Sequence, residues 1–193
     1  MFKSISPKKL PKTLTREEAL SLLSQPNKRA PTGLRNRCVV QLMYRAGLRE
    51  SEVIKLGPQD IEWKEGILRV WKGKGAKDRT LYLDEHALDL LRMWDERRPR
   101  SRYFFCTLKG NKLNDRYIRE LVERYSEKAG IGKHVNPHML RHTFATELLQ
   151  EGYNIREVQK LLGHSDVSTT MIYTHVYDSD LANKLRLRKP VDV

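Results

Sequence analysis

The sequence predicts an α+β fold, mainly helical, with one small antiparallel sheet of three strands. Apolar residues recur at helical spacing over most of the chain, and between Ile61 and Leu83 that pattern gives way to short apolar runs. Turn signals at Glu65-Gly66 and at the Gly73–Asp78 stretch cut this region into three pieces, as a meander of short strands requires.

The elements follow in order. Residues 1–13, lysine-rich and carrying Pro7 and Pro11, read as an extended basic arm or linker, and residues 14–193 as one domain. Thr15 and Glu18 have the spacing of a capping box, and Leu20, Leu22 and Leu23 behind them start the first helix, which Pro26 and Asn27 end. Cys38, Val39, Leu42 and Met43 predict a second helix from about Leu34 to Ala46, closed by Gly47. Arg49 then opens a short helix. After the strands, a helix over 84–98 is stopped by Pro99, Tyr103–Phe105 form a short apolar piece, and a helix over 115–129 ends at Gly130. Helical spacing returns over 137–150, 154–162 and 167–173, and a last amphipathic stretch covers 181–187.

Charge narrows the partner. With 37 Lys and Arg against 24 Asp and Glu, the formal net charge is +13, a field that attracts phosphate backbones before other polyanions. Cys38 and Cys106 lack CxxC or CxxH spacing, which argues against a disulfide framework or zinc module and for buried thiols in a reducing compartment. No apolar window approaches a membrane span, so the expected location is cytoplasmic.

Four local patterns carry polar chemistry. In His138-Met139-Leu140-Arg141 the spacing sets an imidazole and a guanidinium on one helix face, near the positive end that Pro137 opens; alone, such a pair is more often a surface feature of a basic protein. In Leu161-Leu162-Gly163-His164 the glycine can end a helix in a left-handed turn and fix the angle of His164, although a structural histidine is the commoner case. Tyr173 follows nine residues later, within reach of the same pocket; a tyrosine in an apolar helix is usually core. Gly47-Leu48-Arg49-Glu50-Ser51-Glu52 sets Arg49 just after a helix break, with Glu50 and Glu52 as ready ion-pair partners. Gly73–Arg79 is a hairpin turn bearing Lys74, Lys77 and Arg79, equally readable as a solvated tip.

Together, in this order, the motifs AGLRESE, GKGAKDR, PHMLRHTFATELL and LLGHSDVSTTMIYTHV resemble the tyrosine recombinase, or phage integrase, family from about Thr13 to Leu187, and look closest to its Xer-type members. The resemblance implies the catalytic fold of that family and a DNA strand transferase. It implies Tyr173 as nucleophile, forming a 3'-phosphotyrosine and releasing a 5'-hydroxyl. Arg49 and Arg141 would hold the nonbridging oxygens, His164 would add a hydrogen bond, Lys74 would protonate the leaving oxygen, and His138 would act as acid/base toward the tyrosine. Glu52 matches the family's supporting acid, and Lys77 and Arg79 are assigned to DNA phosphate contacts. Neither a metal nor another cofactor is implied. The implied partners are double-stranded DNA and further copies of the chain, four in the synapse and a monomer when free, at the nucleoid and away from membranes.

The family's N-terminal DNA-clamping domain is expected to be absent from this sequence, which reads either as an excised fragment or as a naturally short recombinase. Tyr177, four residues after Tyr173, competes for the role of nucleophile, although motif register favours Tyr173. Two other functions share part of the pattern: a type IB topoisomerase with the same chemistry, and a DNA-binding protein that occupies its site without cleaving.

Overall fold

The computed structural model describes residues 12–71, 78–164 and 170. Among these the order is α1 (Arg16–Ser24), α2 (Pro31–Arg45), α3 (Glu50–Val53), a 3-10 turn (Pro58–Asp60), β1 (Ile61–Glu62), β2 (Ile67–Val70), β3 (Arg79–Tyr82), α4 (Glu85–Asp95), α5 (Asp115–Lys128), α6 (Pro137–Gln150) and α7 (Ile155–Leu162). The expected capping box forms: the Thr15 hydroxyl accepts from the Glu18 N–H at 3.2 Å and the Glu18 carboxylate accepts from the Thr15 N–H at 2.7 Å.

Helix α2 is the axis of the domain, packed by α1, α4 and α6. Its residues Leu34, Cys38, Val39, Val40, Leu42 and Met43 are all buried, the pattern of a helix enclosed on every side. It begins at Pro31, earlier than apolar spacing predicts, because Pro31 supplies the preset φ of a first helical turn and Gly33 fits against the Asn27 carbonyl. Two of its buried polar residues, Arg35 and Asn36, reach toward α5 and the segment before it. The Arg35 guanidinium donates to the Cys106 carbonyl at 2.9 Å, and Asn36 bonds the hydroxyls of Tyr117 and Tyr125 at 3.0 and 3.2 Å. Burial without such partners would cost each group a few kcal/mol, so the network fixes how α2 meets α5.

The three strands pair antiparallel in the order β1-β2-β3, with Ile61 opposite Leu68, Leu68 opposite Leu81 and Val70 opposite Arg79. Leu68, Val70 and Leu81 form the inner face, which joins the main core, while Trp71 and Tyr82 are exposed. Helix α4 stops at Asp95, short of the expected Arg98, whose guanidinium folds back on Asp95 at 2.6 Å. A second buried cluster of Phe144, Ala145, Leu148, Leu149, Val158 and Leu162 welds α6 to α7. Both thiols are buried; burial pushes Cys38 up to about 12 and raises Cys106. The helices expected over 167–173 and 181–187 lie, apart from Thr170, outside the described residues. Among the described residues no helix is long and apolar enough to cross a membrane.

Candidate active site

Arg49 sits where α2 gives way to α3. Gly47 makes that turn in the left-handed region, at φ 61°, and Leu48 is fully buried behind it, so the next residue emerges at the surface of a fixed corner. Glu52, one turn into α3, reaches back: its carboxylate accepts the Arg49 main-chain N–H at 2.8 Å and the Arg49 Nη1 at 3.1 Å. The Arg49 side chain keeps 31% exposure and faces outward, whereas the Glu52 side chain keeps 7%.

The same carboxylate collects two more guanidinium groups. Arg79 donates from Nη1 and Nη2 to Oε1 and Oε2 of Glu52 at 2.7 and 2.8 Å, and Arg141 Nη1 lies 4.0 Å from Oε2. Burial pushes the Glu52 carboxyl up, but the hydrogen bonds and charge of Arg79, then the Arg49 N–H and the Arg141 charge, more than offset it and hold the group at about 2. Three cations around one anion leave a net positive corner.

Helix α6 carries the next pair. Pro137 opens it and Asn136 caps it, accepting from the Met139 N–H at 3.0 Å. Arg141, only 5% exposed, donates to the main-chain carbonyls of Gly47 and Leu162. It therefore ties the corner that presents Arg49 to the end of α7. There Gly163 closes the helix at φ 62° and ψ 42°, the left-handed cap expected from sequence, and its successor His164 lies 3.0 Å through Nδ1 from the hydroxyl of Thr170, which is fully buried. Arg79, Gly163 and His164 line one groove of about 840 Å³.

Arg49, Glu52 and Arg141 are thus brought together, with His164 joined through the Leu162 carbonyl. His138 is exposed in the first turn of α6, one turn before Arg141. Lys74, Lys77, Tyr173 and Tyr177 lie outside the described residues. Arg79, expected among the phosphate contacts, does not point outward: it is 7% exposed, with both terminal nitrogens on Glu52. Two neighbours escaped the sequence reading. His142, half-buried beside Arg141, is pushed down by burial and then by the charges of His138 and Arg141; its spacing from His138 was the available signal. Thr170 carried no signal that sets it apart from the adjacent Thr169. Among the described residues no cluster of His, Cys, Asp and Glu could hold a metal ion.

The sequence profile of the phage integrase family matches residues 12–180. The tyrosine recombinase XerD of Ralstonia nicotianae is 41% identical over 179 residues, covering 88% of this chain and 58% of that protein. The tyrosine recombinase XerA of Thermococcus kodakarensis is 45% identical over 174 residues, covering 88% and 60%. The chain spans about three fifths of the length of these curated relatives. Among solved structures, a XerA recombinase aligns at TM-score 0.79 and 34% identity, over 96% of this chain and 68% of that one. XerH bound to a palindromic difH substrate, in a post-cleavage complex, aligns at TM-score 0.79 and 32% identity, over 96% and 55%.

Proposed function

The chain belongs to the phage integrase family, and on that premise we propose that it is a site-specific DNA recombinase that cleaves and rejoins double-stranded DNA through Tyr173. The Tyr173 oxygen attacks a backbone phosphorus, the bond to the 5'-oxygen breaks, and Lys74 delivers the proton that the departing oxygen takes. Arg49 and Arg141 hold the nonbridging oxygens, where negative charge accumulates as the pentacoordinate state forms; His164 adds a further donor, and His138 relays the tyrosine proton. A second 5'-hydroxyl then attacks the phosphotyrosine and restores a continuous strand. Two arginines and two imidazoles supply the field that a divalent ion otherwise would, so the reading requires neither metal nor nucleotide cofactor. The active assembly is a homo-oligomer on DNA, a tetramer in the synapse, acting at the nucleoid in the cytoplasm.

The observation that carries this reading is the corner itself. Glu52 neutralises one of three guanidinium groups and leaves the charges of Arg49 and Arg141 beside the His164 turn, a ready anion receptor. The test is capture of the covalent adduct on genomic fragments from the source organism, separated under denaturing conditions and sequenced at the trapped ends. Adducts form with the native chain and with Tyr177→Phe, and none forms with Tyr173→Phe; the opposite pattern reassigns the nucleophile. Absence of any adduct reduces the chain to a DNA-binding protein. Efficient relaxation of a supercoiled plasmid, without strand exchange on any captured site, favours a topoisomerase.

A further inference from the structure

We infer that Arg79 is a positioning residue: anchored at the foot of the β2–β3 hairpin, it clamps the Glu52 carboxylate so that Glu52 holds Arg49 without neutralising it. The inference rests on the recombinase reading for its catalytic consequence, and on geometry alone for the clamp.

Arg79 is the first residue of β3 and pairs with Val70, on the sheet face that otherwise carries Leu68, Val70 and Leu81. A cation at such a position must be matched by an anion, and the anion is Glu52, reached by both terminal nitrogens at 2.7 and 2.8 Å. A planar guanidinium against a planar carboxylate fixes the plane of both, which a lysine ammonium could not do. The remaining Glu52 acceptor sites take the Arg49 N–H at 2.8 Å and Arg49 Nη1 at 3.1 Å. Four hydrogen bonds fill the carboxylate. Among the described residues the Arg79 Nε is buried with no hydrogen-bond acceptor, as expected of a side chain placed by its Glu52 contacts.

The division of partners has a consequence for charge. Without Arg79, the Glu52 carboxylate would turn its whole charge on Arg49 and Arg141, drawing them inward and cancelling part of the field meant for a phosphate. With Arg79 as its main counter-ion, Glu52 grips Arg49 by the main chain and one nitrogen, and the Arg49 side chain stays 31% exposed. A direct phosphate role for Arg79 would require the phosphate to displace Glu52 from a side chain with 3% exposure.

The test uses Arg79→Lys, Arg79→Met, Glu52→Gln and the Arg79→Met/Glu52→Gln double variant. Adduct formation at saturating DNA is measured in single turnover on a captured site, and DNA affinity is followed separately across salt concentration. Arg79→Lys slows adduct formation on the order of 10- to 100-fold, with affinity and salt slope unchanged. Arg79→Met slows it as much and introduces an acid limb between roughly pH 4 and 6 as Glu52 becomes protonated in that range. The double variant lacks that limb and is no slower than the slower single variant. Should Arg79→Met not fold, Arg79→Lys carries the comparison. Weakened affinity, a salt slope smaller by about one and unchanged saturating cleavage would instead make Arg79 a phosphate contact and overturn the inference. Titration of the Glu52 carboxyl by NMR needs no DNA. A value that Arg79→Met leaves unmoved overturns the clamp even if the chain is active, and a raised value upholds it even if no DNA is cleaved.

Discussion

Gly47 abuts the ring of Phe144 so closely that a Cβ on the glycine would stand 2.4 Å from Cδ1 of that ring. The same glycine has φ 61° and gives its carbonyl to Arg141, so one small residue sets the approach of α6 to the corner that presents Arg49. Gly47→Ala combines left-handed strain with overpacking and is expected to lower stability by about 2–4 kcal/mol. Urea unfolding measures the loss, and a change below about 0.5 kcal/mol would show that the corner yields.

Acid should weaken the fold in two stages. His142 is held below the ordinary imidazole value of 6.5, so its contribution is complete above 6.5 and is lost as pH falls through its lowered value. Glu52 is held at about 2 against an ordinary 4.5, so its contribution, roughly 3 kcal/mol, is complete above 4.5 and disappears as pH falls toward 2. Glu52→Gln should flatten the lower stage and leave the upper one, as read from urea midpoints across pH.

Arg141→Lys should fail even though the charge is kept. One ammonium cannot reach the Gly47 and Leu162 carbonyls and still present a fork to a phosphate. Adduct formation is expected to fall by about 10²–10³-fold or more, and stability by about 1–3 kcal/mol for the acceptor left unmet. Cleavage within about 3-fold of the native rate would remove Arg141 from the reacting centre.

Thr170→Val removes the hydroxyl beside His164 Nδ1 while nearly preserving shape. The imidazole then loses its hydroxyl partner at Nδ1, and adduct formation should slow on the order of 10-fold at saturating DNA. An unchanged rate would mean that the ring is held in place without the Thr170 hydroxyl.

The parts of this molecule written in local chemistry were legible from sequence. The Thr15–Glu18 box, the Gly163 cap and the strands over 61–83 depend on neighbours in the chain, and each appears where its residues predict. The start of α2 was not legible, because residues 31–33 precede the apolar spacing and are set instead by the φ of Pro31 and the close fit of Gly33 on the Asn27 carbonyl. Arg79 was grouped with Lys74 and Lys77 by charge, yet strand parity set it on the same side as Leu81. That parity was the better guide, since it decides which face a side chain occupies before charge decides what it meets there.

The acceptors that hold Arg141 are peptide oxygens, present whatever side chains stand at positions 47 and 162. Point substitution at Leu162 can therefore alter packing without removing that acceptor. An inserted or deleted residue between α6 and α7 would shift the oxygen itself. Over evolutionary time this junction should tolerate changes of spelling far better than changes of length.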